Sequence, residues 1–429
     1  MHVLPRVREV EDIFPSDLVV IGVHAGKFRA ERETARIRRA CDRLGVTHPV
    51  VNDRAYRIWR AYDVGAWPTI ALIDPDGYLV GTQSGEFDVE DLAQAIERLL
   101  AERPAERAMG EPFFAGADAD SLPAPEGPLR YPSRVVANSD TLWVSDTGNR
   151  RVVEVALDGG RAGHVTRAFS GSSGVRFVEP QGLARVGSLL YVADRGGHSV
   201  WRIDLETGSC ERVAGTGRLG RGLLTEGPAD TDLRSPWGLA ARGEDLLVAI
   251  AGSHQIWRLD PERGVLIPAA GNGAEEILDG RAATAALAQP TGLALADSLA
   301  YFADCESSAV RRLDMSASVV NTIVGSGLFD FGDRDGRGED VRLQHCLDLA
   351  LVGQEIVVAD TYNDKLKVVE PVTRECAAYA GDAGSGDSLC EPGGVFASGS
   401  QLLVADTGNH RIAIVDAKGR VEHIEIIEE

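Results

Sequence analysis

A repeated segment sets the architecture of most of this chain. Six stretches align without gaps, and each has a Pro or its equivalent fourteen residues before an Asp or its equivalent. Successive repeats start 46 to 56 residues apart, so length changes fall between the conserved segments. A constant unit with variable connections is typical of an array of small sheets. The six segments are 131–155, 179–203, 235–259, 289–313, 345–369 and 391–415.

Each repeat contains four short apolar runs separated by turn residues. In the second repeat these runs are 182–184, 189–193, 200–204 and 213–215. Four strands per unit, repeated about a centre, make a β-propeller blade. The sequence therefore predicts an all-β, six-bladed propeller over residues 130–429, with Val421 to Ile427 as its final outer strand.

The repeated polar residues are expected to serve the blades themselves. A carboxylate at the end of a strand commonly accepts backbone N–H bonds in the following turn. Three histidines recur four residues after the Asp position, in different blades, so they are interpreted as turn residues and no metal site is predicted. Ile250 and Cys346 replace the Asp and the Pro in two repeats and leave the turn geometry there open. The residues given a structural turn role are Asp146, Asp194, Asp304, Asp360, Asp406, His198, His254 and His410.

Residues 1–103 have a different pattern, in which apolar runs alternate with amphipathic segments. Strands are expected at 18–23, 48–51, 70–73 and 79–83, and helices at 31–44, 54–62 and 88–100. This alternation favours an α/β domain with βαβ connections and a terminal hairpin. Residues 104–129, rich in Ala, Pro and Glu, are interpreted as a linker or as the entry to the propeller.

Both regions resemble known families. The strings VADTGNHRI (404–412) and VSDTGNRRV (144–152), preceded by P-x-G-L-A in other units, are similar to NHL repeats. VGAWPT (64–69) resembles the loop with a cis proline in thioredoxin-like domains, and with VVIGVHAGKF (19–28) it is similar to the family of NHL repeat-containing protein 2. The resemblance implies a cis Trp67–Pro68 bond and a substrate-binding loop formed by Trp67, Pro68 and Thr69.

The cysteines argue against thiol chemistry within this sequence. A thioredoxin-type enzyme uses a low-pKa thiolate, usually in a Cys-x-x-Cys motif at a helix N-terminus. By the resemblance, that motif and the first strand of the fold would precede Met1, so the thioredoxin-like domain is expected to be incomplete. None of the six cysteines is in such a pair, and Cys41 lies on the apolar face of its predicted helix. The domain is therefore expected to be redox-silent.

Composition limits the partners. A net charge of −21 disfavours nucleic acid, and no apolar run is long enough to cross a membrane. Scattered cysteines favour a cytoplasmic location. The Gly-rich string at 215–220 lacks a following helix, and no cofactor is expected.

Three functions are consistent with the sequence. The preferred one is a binding or scaffold protein that takes a protein or peptide on the propeller face. The alternative is a thiol-disulfide oxidoreductase whose motif lies upstream of Met1. A propeller hydrolase or lyase would need a metal or a carboxylate cluster on the central axis.

Overall fold

The structure, a computed structural model, describes residues 3–102, 125, 127–159, 161–170, 176–381 and 387–428. The chain divides into two compact units, residues 1–124 and 125–429. Most of the predicted linker, 104–129, lies outside the described residues, so its assignment stays a prediction.

The first unit contains four helices and four strands among its described residues. Seven of these eight elements match predicted ones to within a few residues. The exception is the first helix, which the sequence reading did not assign. The elements are α1 Val3–Ile13, β1 Gly22–His24, α2 Thr34–Leu44, β2 Val50–Asn52, α3 Arg57–Ala61, β3 Thr69–Ile73, β4 Leu79–Ser84 and α4 Val89–Ala101.

Local signals explain where these helices begin and end. The Asp88 side chain accepts the Glu90 N–H at 2.9 Å and caps α4, whose first turn is acidic. Helix α2 ends at Gly45, which has a left-handed φ of 62°. Helices α1 and α4 pack together around a small buried core that includes Val10, Phe14 and Ile96.

The strands of the first unit form two separate pairs. Strand β1 pairs with β2 in parallel, and β3 pairs with β4 in an antiparallel hairpin. Among the described residues, no strand joins β1 to β3, so the two pairs do not form one sheet. That the domain lacks its first strand stays a prediction.

The second unit contains six sheets, as predicted, and the four long strands of each blade are antiparallel. Blade 1 holds β5 Pro132–Ala137, β6 Thr141–Asp146, β7 Arg151–Leu157 and β8 Ala162–Phe169. Blade 2 holds β9 Pro180–Val186, β10 Leu189–Asp194, β11 Ser199–Asp204 and β12 Cys210–Ala214. Blade 3 holds β13 Gly227–Pro228, β14 Pro236–Arg242, β15 Asp245–Ile250, β16 Gln255–Asp260 and β17 Val265–Ala270.

The other three blades have the same order. Blade 4 holds β18 Gly280–Arg281, β19 Pro290–Ala296, β20 Leu299–Asp304, β21 Ala309–Asp314 and β22 Val319–Val324. Blade 5 holds β23 Gly336–Arg337, β24 Asp348–Val352, β25 Glu355–Asp360, β26 Lys365–Val369 and β27 Glu375–Ala380. Blade 6 holds β28 Pro392–Ser398, β29 Gln401–Asp406, β30 Arg411–Val415 and β31 Val421–His423. The short strands β13, β18 and β23 each pair with the outermost long strand of their blade.

The prediction of one final outer strand from Val421 to Ile427 is wrong beyond residue 423. Residues Val421–His423 are the outer strand of blade 6, but β32, Glu425–Ile427, pairs in parallel with β8 of blade 1. Ile424 and Ile426 are buried against the core shared by blades 1 and 6. The chain end therefore joins the last blade to the first, which sequence periodicity within one blade could not predict.

The propeller core lies between neighbouring blades. The inner strands β5, β9, β14, β19, β24 and β28 contact one another in ring order, and β28 contacts β5. Each apolar cluster takes residues from two adjacent sheets; Trp257, 1% exposed, packs in the cluster between blades 2 and 3. Burying both faces of each blade in this way supplies the main driving force for ring formation.

Candidate functional site

The predicted substrate loop of the first unit presents an exposed tryptophan. The Trp67–Pro68 bond is cis, as predicted. The Trp67 indole is 45% exposed, and its Nε1–H donates to the Ala25 carbonyl at 2.7 Å. Its ring lies 4.6 Å from that of Trp59, measured between centroids. The loop therefore offers an exposed aromatic surface, and the Ala25 carbonyl and the Trp59 ring fix its orientation.

Hydrogen bonds hold the rest of this loop against the β3–β4 hairpin. The Thr69 hydroxyl lies 2.8 Å from the Ala66 carbonyl and 2.9 Å from the Ser84 hydroxyl. The Pro68 carbonyl accepts the Gly85 N–H at 2.8 Å. Trp67 is the most exposed member of the three predicted residues, and substrate binding by this loop stays a prediction.

Four of the thiols have a raised pKa and so do not resemble activated nucleophiles. Burial raises the pKa of Cys41 and of Cys210 above the ordinary thiol value. Burial also raises the pKa of Cys376 to about 12, and that of Cys346 well above its usual range. A raised pKa leaves little thiolate at neutral pH, and the thiolate is the attacking form. All six cysteines are thiols outside any disulfide.

In the propeller, the repeated Asp joins the end of the second long strand to the start of its own blade. In four blades one carboxylate oxygen accepts the N–H of the residue sixteen positions earlier, at 2.6 to 2.8 Å. Asp194 accepts the equivalent Val178 N–H at 3.0 Å and also accepts the Glu179 N–H at 2.7 Å. These contacts support the predicted turn role of the carboxylates.

The second oxygen of the repeated Asp separates the blades into two groups. In blades 1, 4 and 6 an arginine donates to Asp146, Asp304 and Asp406 at 2.7 to 2.8 Å. Among the described residues, no arginine pairs with Asp194 or Asp360. Burial raises the pKa of Asp194 to about 6 and that of Asp360 to about 7. A buried carboxyl with no paired cation resists ionisation.

In five of the six blades, the side chain four residues after the Asp position accepts a hydrogen bond from the next blade. His198 Nδ1 accepts the Ser235 N–H at 3.2 Å, and His254 Nδ1 accepts the Gln289 N–H at 3.3 Å. His410 Nδ1 accepts the Tyr131 N–H at 3.0 Å and so links blade 6 to blade 1. The three histidines lie at different blade junctions, and the structure does not bring them together. We call this contact the junction hydrogen bond.

In blades 4 and 5, which lack the histidine, other side chains make the junction hydrogen bond. The hydroxyl of Ser308 and a carboxylate oxygen of Asp364 accept the corresponding N–H groups at 3.0 and 2.8 Å. All six residues at this position have a left-handed φ between 46° and 58°. The blade in which Ile250 replaces the Asp keeps this turn, because His254 has a φ of 55°. In the blade in which Cys346 replaces the Pro, the Cys346 thiol donates to the Ala309 carbonyl.

Sequence reading missed an ion pair between the inner strands. Two residues after the Pro position, four blades carry Gly, but blade 1 carries Arg134 and blade 5 carries Asp348. The Arg134 guanidinium and the Asp348 carboxylate form a salt bridge, with side chains 11% and 1% exposed. Burial lowers the pKa of Arg134 to about 10. The missing Gly in two repeats was the available signal.

A second missed group lies at the junction of blades 4 and 5. One ligand atom each from Cys305, Glu306 and His345 lies within 4.8 Å of the other two. The His345 Nδ1 is 3.7 Å from a Glu306 carboxylate oxygen, and the ring of His345 stacks on that of Tyr362. His345 is far in sequence from the adjacent Cys305 and Glu306, and only the repeat alignment would have shown that all three differ from the other blades.

Both units of the chain are similar in sequence to known proteins. No family model matches the sequence. NHL repeat-containing protein 2 of Bos taurus is 33% identical over 478 residues, which cover 97% of this chain and 64% of that protein. The chain spans 64–65% of the length of the three relatives of this name that it matches.

Each unit also has a likeness of its own. Thiol-disulfide oxidoreductase ResA of Geobacillus thermodenitrificans is 30% identical over 97 residues, 22% of this chain and 53% of that protein. An auxiliary nutrient binding protein from Bacteroides thetaiotaomicron superposes with a TM-score of 0.51 and 11% identity, covering 68% of this chain and 69% of that one. This second likeness shows the fold alone. The chain is therefore a homologue of proteins named NHL repeat-containing protein 2, with a six-bladed β-propeller and a thioredoxin-like first region.

Proposed function

We propose that this chain is a binding or scaffold protein. The propeller face takes a protein or peptide partner, and the thioredoxin-like unit adds a peptide-binding loop without performing thiol chemistry. The observation that carries the proposal is the contrast within the first unit. Trp67 is 45% exposed in an anchored loop, whereas the pKa of Cys41, the one cysteine in that part of the sequence, is raised by burial.

The anchoring of Trp67 favours binding over a purely structural role. Its N–H is already satisfied by the Ala25 carbonyl, and Trp59 supports one side of its ring. The exposed part of the indole is therefore a preorganised apolar surface. Exposed aromatic side chains held in this way are common anchors at protein interfaces.

The net charge limits the class of partner that we propose, and the cysteines limit the cellular compartment. The net charge of −21 favours a protein or peptide with basic character over nucleic acid. Six cysteines outside any disulfide support a reducing compartment, and we propose the cytoplasm. Over the described residues, the helices are too short or too polar for any of them to span a bilayer.

Selection of random peptides on the full chain tests the binding role. Peptides recovered by display should lose about 30-fold in affinity for W67A, the loss expected for an aromatic anchor worth about 2 kcal/mol. Tyr78 is 72% exposed at the tip of the β3–β4 turn, so Y78A is the matched control and should bind normally. Equal affinity for W67A and wild type would remove the loop from the proposal.

A second candidate is a thiol-disulfide oxidoreductase. The similarity of the first region to ResA, which that name describes as such an enzyme, favours it. The raised pKa of Cys41 argues against it for the residues present in this sequence. The two candidates differ in whether the chain turns over a disulfide.

A further inference from the structure

Three side chains that no other repeat carries at the same positions come together at one junction. The first residue after the Asp position is Thr in blades 1, 5 and 6, but it is Cys305 in blade 4. The second is Gly in blades 1, 2, 3 and 6, but it is Tyr362 in blade 5 and Glu306 in blade 4. The residue before the Pro position is histidine in blade 5 alone, as His345. Residues that break a local rule without helping the fold are expected at functional positions.

The second of these positions does not favour a side chain. In blade 1, a Cβ added to Gly148 would lie 2.7 Å from the Arg130 carbonyl oxygen, and in blade 6 one added to Gly408 would lie 2.9 Å from that of Cys390. The backbone hydrogen bond is the same in blade 4, where the Glu306 N–H donates to the Ala288 carbonyl at 3.0 Å. Blade 4 therefore accommodates a glutamate where the repeat favours glycine.

The three side chains come from two blades and meet in a mostly buried place. Cys305 and Glu306 lie in the short 3-10 turn after β20, and His345 lies just before the inner strand of blade 5. Cys305 is 1% exposed, and the side chains of His345 and Glu306 are 15% and 19% exposed. The ring of His345 is held by Tyr362, with centroids 4.5 Å apart and planes 20° apart.

We propose that Cys305, Glu306 and His345 bind a zinc ion. A thiolate, an imidazole and a carboxylate are the ligand types that Zn²⁺ takes in proteins. Two nitrogen or oxygen ligands of a tetrahedral zinc lie roughly 3.4 Å apart, given bond lengths of about 2.0 to 2.2 Å. The 3.7 Å between His345 Nδ1 and the Glu306 oxygen is close to that separation.

The ligand count gives the site an open position. Three protein ligands leave one place in a tetrahedral shell for water or for a group of a bound partner. This assignment differs from the sequence expectation that the chain binds no metal, which was argued from the three histidines at other junctions. Binding requires a deprotonated Cys305, so zinc uptake should release a proton and weaken at low pH.

The experiment measures zinc on the untagged full chain. Chelator-treated protein is equilibrated with zinc sulfate, and bound metal is counted by mass spectrometry and by competition with a chromophoric chelator. Wild type should hold one zinc per chain. Cobalt in place of zinc should give a sulfur-to-metal charge-transfer band through Cys305.

Each test variant uses a residue that another blade carries at the same position. C305T, E306G and H345Q copy blades 1, 6 and 4, respectively, so the fold should survive, which thermal melting without metal verifies. Each should weaken zinc binding by at least about 100-fold. C210S, which alters a half-buried thiol in blade 2, is the control and should bind as wild type does.

Clear results overturn the proposal. No zinc on wild type, equal affinity in C305T, or a cobalt complex without the sulfur band would each exclude the site. Loss of zinc in C210S as well as in C305T would show non-specific thiol binding and would also exclude it.

Discussion

The salt bridge between Arg134 and Asp348 makes the sharpest prediction about stability. The pair joins the inner strands of blades 1 and 5, and the Val395 N–H of blade 6 also donates to the Asp348 carboxylate at 2.7 Å. Replacing Arg134 with Met keeps the length of the side chain but leaves a carboxylate that is 1% exposed without its cation. Breaking one partner of a buried ion pair costs about 3–5 kcal/mol.

The same range applies to the other partner. D348N keeps an acceptor for the Val395 N–H but leaves the buried guanidinium unpaired. The double variant R134M/D348N removes both charges, so it should be less destabilised than the sum of the two single variants. An interaction free energy on the order of 2 kcal/mol is expected between contacting charges.

Calorimetry and urea unfolding measure these effects. At about 2.1 cal/mol/K per residue, a propeller of roughly 300 residues loses about 5–8 °C in Tm for a loss of 3–5 kcal/mol. The reasoning is refuted if each single variant costs under about 1 kcal/mol. It is also refuted if the double variant shows the sum of the single effects, because the charges would then not interact.

Three other contacts support single substitutions, each followed by urea unfolding. H254A removes the acceptor for the Gln289 N–H and should cost about 1 kcal/mol, whereas H254S keeps an acceptor and should cost less. Burial lowers the pKa of His254, so the unfolded chain binds its proton more tightly and wild type should lose stability as pH falls below 6.5, a loss that H254S should lack. Burial raises the pKa of Asp360 to about 7, so the folded chain holds that proton more tightly than the unfolded chain does. Relative to wild type, D360N should therefore gain stability as pH rises from 3.8 to about 7, by on the order of 4 kcal/mol. A difference between the two proteins that does not depend on pH would contradict this prediction. I426A should cost about 2–5 kcal/mol because the side chain is 9% exposed, while I427A, 42% exposed, should cost little; equal losses would argue against the pairing of β32.

The repeat made the propeller predictable, and its departures limited the prediction of sites. The fixed distance from Pro132 to Asp146, repeated five more times, is sufficient to place the inner strands and turns. It does not place β32, because the parallel pairing of Glu425–Ile427 with blade 1 depends on ring closure and not on the pattern within one blade.

Side-chain groups formed across blades were also beyond sequence reading. The Arg134–Asp348 pair is separated by 214 positions, and Cys305 is 40 positions from His345. A propeller brings such residues together only after the blades pack. In the first unit, the cis Trp67–Pro68 bond was predictable from a local string. Helix α1 was missed, although Val3, Val7 and Val10 recur at helical spacing and pack on the core.

Disulfide reduction by the purified chain tests most directly whether it binds without performing thiol chemistry. The assay follows reduction of a protein disulfide with dithiothreitol as the turnover reductant, on wild type and on C41S. The raised pKa of Cys41 predicts that both reduce the disulfide at the rate of dithiothreitol alone. A wild-type rate above that background, lost in C41S, would contradict the account and establish the chain as an oxidoreductase.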